Sequence, residues 1–158
     1  MNMTGNQFSG FLHRWYDQDL HVSELVKVMS GLSDENQYLL ALLIGALSEE
    51  VIKHKGKSNF VQELDWDKLM GILKSKRGRR WYDEEPEMHK AFNILYSLPD
   101  MDKAWVGEQL HMPSLLIESY ERRCKEQGKP VDLEVVCQIL EVTFKQGIET
   151  AQAQFAHF

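Results

Sequence analysis

The tetrapeptide Arg-Trp-Tyr-Asp occurs twice, as Arg14-Trp15-Tyr16-Asp17 and as Arg80-Trp81-Tyr82-Asp83, and the likeness runs on past it without a gap. At a constant offset of 66, Val28 aligns with Ile94, Met29 with Leu95, Leu32 with Leu98, Asp34 with Asp100, Leu40 with Val106 and Ile44 with Leu110. Apolar positions agree better than polar ones, so what the two segments share is a buried face. Two copies of one helical unit bury their matching faces against each other or against a common core. The pattern predicts an internally duplicated helical unit over residues 14–44 and 80–110. It names no activity.

Helical periodicity dominates the rest of the chain, and no stretch alternates apolar and polar residues with β-branched and aromatic enrichment. The expected fold is all-α, a single-domain helical bundle of about eight helices spanning residues 1–158. Phe8, Phe11, Leu12 and Trp15 share one face of a first helix, and Leu25, Val28, Met29 and Leu32 mark a second. A third begins after Ser33 and Asp34, whose side chains suit a cap, and ends with Lys53, His54 and Lys55 before Gly56. It is apolar nearly all round from Leu39 to Leu47, so it must be covered on several sides. Ala41 and Gly45 would let another backbone approach it closely.

Trp66, Leu69, Met70 and Leu73 form the stripe of a helix from about Asp65 to Lys74, and a basic loop follows. Asp83, Glu84 and Glu85 before Pro86 suit the start of the next helix, which Pro99 closes. Asp100 can cap a helix from Met101 to about Leu110, and Pro113 can begin another that stops at Gly128. From Asp132, apolar residues at steps of three and four predict one long helix reaching Phe155. No Gly, Ser or Pro-rich linker divides the chain, which argues against two mobile domains.

A chain of 158 residues buries roughly two thirds of its unfolded surface without staples. Its net charge of −6, from 18 basic and 24 acidic residues, works against nonspecific attraction to nucleic acid or anionic lipid. The N-terminus has neither a basic start nor an apolar core, so the expected compartment is the cytoplasm. The longest apolar run, about nine residues, falls well short of the roughly 20 a membrane span needs. Cys124 and Cys137 match no zinc or redox spacing and read as small buried thiols.

Four constellations bear on function. Arg14, Trp15, Tyr16 and Asp17, with their copies Arg80, Trp81, Tyr82 and Asp83, are candidate interface anchors, because Trp and Arg dominate hot spots and stack by cation–π attraction. The structural alternative is that each Trp plugs a helix junction and each Asp caps locally. Lys74, Lys76, Arg77, Arg79 and Arg80 place five cations beside Trp81 and Tyr82, a combination that could hold phosphates and stack on unpaired bases. Asp83, Glu84, Glu85 and Glu87 immediately after them can neutralise much of that charge within the molecule.

The order of residues from Val106 to Ile117, with Gly107 where two helices would touch, is compatible with a helix-turn-helix. Its second half offers Ser114, Leu115, Leu116, Glu118 and Glu121, apolar or acidic where base contacts need donors, so a plain helical hairpin is expected instead. Glu108 and His111 share a helical face at the spacing of a di-iron ligand pair, but the second pair is missing, and no metal or other cofactor is expected.

Signatures of a catalytic nucleophile, a phosphate-cradling loop or a dinucleotide site are absent. The expectation is a noncatalytic protein-interaction or regulatory adaptor whose partner is another protein or a second copy in a homodimer, with no membrane partner. Nucleic-acid or phosphate-ligand binding through residues 74–82 is the alternative; five duplex phosphate contacts there would give a log-affinity slope of about −4.5 against log salt. A helical enzyme with an unfamiliar site stands third.

Overall fold

The computed structural model of the chain describes residues 20–54, 66–76 and 85–156. Among them are seven helices and no strand: α1 (Leu20–Met29), α2 (Asp34–Lys53), α3 (Trp66–Lys76), α4 (Glu85–Ser97), α5 (Asp100–Glu126), α6 (Leu133–Gln146) and α7 (Ile148–Phe155). The helix expected around Phe8 to Trp15 lies outside the described residues, as do both Arg-Trp-Tyr-Asp sequences.

The core takes its shape from α2. Tyr38, Leu39, Leu40, Ala41, Leu43, Ile44 and Leu47 are all buried, which spreads apolar contact around the whole helix as its composition requires. One connected set of buried side chains draws on all seven helices, with Tyr38, Phe92 and Phe155 the largest of those fully buried. Cys124 and Cys137 belong to the interior as buried thiols.

The first, second, fourth and fifth helices pack crosswise. α1 lies chiefly on α5, α4 lies chiefly on α2, and α2 also touches α5. Two small residues permit this. A Cβ on Gly107 of α5 would sit 2.8 Å from the backbone C of His21 and N of Val22, and one on Gly45 of α2 would sit 3.0 Å from Ala91 Cβ of α4. The close approach expected at Gly45 is therefore made by α4. Near the start of α1 its backbone meets Gly107, and just beyond its end Ser33 meets Glu121, so α1 and α5 run in the same direction.

Several expected boundaries are overturned. Residues 106–117 form neither a helix-turn-helix nor a helical hairpin, because α5 is one helix of 27 residues with Pro113 inside it. A proline there removes one backbone hydrogen bond and crowds the preceding turn, at a cost of about 3 kcal/mol. Here Val106, Leu110, Ser114, Ile117, Tyr120 and Cys124 form a buried stripe that passes Pro113 unbroken. Burial of that stripe holds the two halves as one helix.

The long final helix is in fact two. Gly147 adopts φ 96° and ψ 160°, backbone that only glycine takes up easily, and it ends α6 while its carbonyl accepts from Ala151 N–H at 3.2 Å to open α7. The break lets α7 return to the core, where Ala151 and Phe155 are buried. Asp132 does cap α6, accepting from Glu134 N–H at 2.9 Å. Asp100 does not cap α5; it is already the first helical residue, and Pro99 precedes it.

Candidate functional site

Two buried polar side chains, Asn36 and Gln37, lie in the first turn of α2. Ser33 stands at the N-cap of α2 in extended backbone, yet its hydroxyl makes no cap bond to its own helix, contrary to expectation. A carboxylate from α5 takes over that task. Glu121 accepts the Ser33 N–H at 3.0 Å on one oxygen and the Ser33 hydroxyl at 3.0 Å on the other, and it also accepts from the Asn36 side-chain amide. An anion at the positive end of a helix is favourable both for the dipole and for the free amides. Gln37 completes the turn by donating from Nε2 to the Leu32 carbonyl at 3.0 Å.

Two more ties secure the C-terminal part of the chain. Arg123 donates from Nη2 to the carbonyl of Phe155 at 2.8 Å, placing a cation at the negative end of α7. The Tyr120 hydroxyl accepts the Asp132 N–H at 2.9 Å, fixing the loop between α5 and α6. Burial pushes the Tyr120 phenol above its ordinary range, and neighbouring Cys124 raises it further, so the hydroxyl stays neutral.

The exposed face of the α4–α5 elbow differs in character. Tyr96 is 56% exposed and Met101 85%, on opposite sides of the Pro99 break. Lys103 Nζ lies 5.1 Å from the centroid of the Tyr96 ring and 3.7 Å from Asp100 Oδ1, so a cation covers the ring. At the offset of 66, the matching positions at the α1–α2 break are Ser30 and Glu35. The apolar pair thus has no counterpart at the α1–α2 break.

A third polar cluster joins α3 to α6. Lys145 pairs with Asp67 and stands 3.6 Å from Glu141, which in turn lies 3.4 Å from Lys74. Lys145 holds the Asp67 carboxyl below its ordinary range, while Asp67 and then Glu141 hold the Lys145 ammonium above its own. Asp67 therefore adds to docking above the ordinary aspartate range and loses that contribution as pH falls through its lowered value. Lys145 adds below the ordinary lysine range and loses its contribution as pH rises through its raised value. Protection of residues 66–76 from hydrogen exchange, taken relative to the intrinsic amide rate at each pH, is expected to be greatest between about pH 5 and 9 and to fall at both extremes, with the protection of α5 unchanged by the same titration. Equal pH response in both helices would remove this cluster as the cause.

Of the residues singled out from sequence, Arg14, Trp15, Tyr16, Asp17, Arg77, Arg79, Arg80, Trp81, Tyr82 and Asp83 lie outside the described residues. Lys74 and Lys76 fall in the last turn of α3, where Lys74 faces Glu141. Glu121, Arg123, Tyr96, Met101, Asp67 and Lys145 carried no motif. Only the proximity of Tyr96 and Met101 to Pro99, where a helix stops and both flanks reach solvent, is a local signal.

Among the described residues no three His, Cys, Asp or Glu gather as a metal-binding group, and no helix is long and apolar enough to cross a membrane. No protein-family model matches this chain, and comparisons with curated proteins and with solved structures give no match either.

Proposed function

We propose that this chain is a noncatalytic helical interaction protein, an adaptor or regulator that binds another protein or a second copy of itself. The observation that carries this reading is the α4–α5 elbow, where Tyr96 and Met101 stand exposed on the two sides of Pro99. Tyr and Met are enriched at protein interfaces, and a ring already held by Lys103 loses little freedom on binding. Glu121 and Arg123 are committed to helix ends, and Asp67, Lys74, Glu141 and Lys145 to the contact between α3 and α6, which suits a scaffold. Buried thiols at Cys124 and Cys137 fit a reducing compartment such as the cytoplasm.

The same reading takes the two helix pairs as copies of one unit. Asp34 and Asp100, 66 apart, each open the second helix of a pair. The residues before them have nearly equal backbone angles, φ −61° and ψ 157° at Ser33, φ −57° and ψ 153° at Pro99. Reciprocal packing of α1 on α5 and α4 on α2 supports an approximate two-fold relation between the copies.

The test is affinity capture from native lysate together with light scattering behind size exclusion at low and high salt. A stoichiometric protein partner or a salt-insensitive dimer is expected, lost when Tyr96 and Met101 are both replaced by serine while the helical signal is kept. A monomer without a stoichiometric partner counts against the role. Copurified nucleic acid released by salt, with a slope flattened by Arg77→Ala, Arg79→Ala and Arg80→Ala, would instead favour the basic segment.

A further inference from the structure

Helix α3 packs on α6 and α2 as a ligand would. It has 11 residues, a length at which an isolated helix is marginal, and Gly71 in its middle weakens it further by about 1 kcal/mol. Nothing lies within 4 Å of where a Gly71 Cβ would stand, so no packing demand accounts for the glycine. Among the described side chains of α3, Met70 is buried at 2% exposure, whereas Asp67, Lys68, Ile72 and Ser75 are exposed.

The ion pairs give the seat a direction. Asp67, early in α3, meets Lys145, late in α6; Lys74, late in α3, meets Glu141, one turn earlier in α6. The two helices are therefore antiparallel, and the seat reads an acid, an apolar residue three positions on and a base four positions further. A helix carrying those charges in the reverse order would meet like charges at both ends.

We infer that α3 is a displaceable occupant of a helix-binding seat on α6 and α2. The partner fitting that seat is an amphipathic helix with an acid, an apolar anchor and a base at the spacing of Asp67, Met70 and Lys74. α3 holds the seat in the resting chain, and a competing helix with the same pattern displaces it. This rests on the interaction role proposed above but is tested separately, since the elbow variants leave α6 untouched.

The probe is a fluorescent peptide with the sequence of residues 64–77, titrated against the full chain and against the full chain carrying Met70→Asp. M70D is expected to keep the helical signal and cooperative transition of the other helices while residues 66–76 lose their exchange protection. The peptide should bind M70D at least about tenfold more tightly than the unaltered chain, whose own α3 competes at high effective concentration. Adding Lys145→Glu should weaken peptide binding by about fivefold or more. Collapse of the whole helical signal in M70D would make α3 part of the core and overturn the proposal. Equal binding to both chains, or no effect of K145E, would overturn it as well.

Discussion

Replacing Gly107 with alanine is expected to destabilise the protein by about 3 kcal/mol, read as a fall in the urea midpoint at unchanged slope. The added carbon would stand 2.8 Å from two backbone atoms of α1, at His21 and Val22, and backbone cannot rotate away as a side chain can. Relief requires α1 and α5 to move apart, beside a Val22 that is fully buried. Gly71→Ala is the matched control. It adds the same carbon to a helix interior with open space around it, so it should stabilise by about 0.5–1 kcal/mol through helix propensity. Similar effects of the two substitutions would show that α1 and α5 are not in contact at Gly107.

The second large effect is expected at Glu121. Glu121→Ala should remove about 2 kcal/mol, because the Ser33 N–H, the Ser33 hydroxyl and the Asn36 amide lose their shared acceptor at a partly buried helix end. Asn36 is fully buried, so water cannot readily take the carboxylate's place. Glu121→Gln keeps one acceptor oxygen but turns an NH₂ toward donors, and about half of that loss is expected. The loss should appear as faster amide exchange in the first turn of α2 as well as in the unfolding midpoint. A change within about 0.5 kcal/mol for Glu121→Ala would make this an ordinary surface carboxylate and defeat the assignment.

Both predictions turn on long-range contacts, which leave no mark on the local pattern of the chain. Ser33 was expected to cap α2 by itself, and its type and position were right for that. What displaced it is an acid 88 positions away, which donates nothing to local pattern. Glu121 had counted only as an unsuitable charge for reading DNA. Gly107 was correctly expected to sit where helices touch, although the backbone that touches it is that of α1 rather than an adjoining hairpin helix. The candidate interaction residues behave likewise: Tyr96 and Met101 are ordinary apolar residues in sequence, and it is their shared exposure on the two sides of the Pro99 break that marks them out.

Periodicity, all-round apolar composition and a capping side chain act over one or two turns, so the helical class, the central place of α2 and the start of α6 at Asp132 are already written in the local pattern of residues. That pattern also determined that Gly45 would admit another backbone, since only a missing side chain lets helices approach so closely. Tertiary structure decided whether a local break signal was obeyed. Pro113 was overruled because a buried stripe on both sides of it gains more than the proline loses, while Gly147 was obeyed because turning there returns Phe155 to the core and its carbonyl to Arg123. The same residue types punctuate both places, and what differs is the free energy of burying the chain that follows.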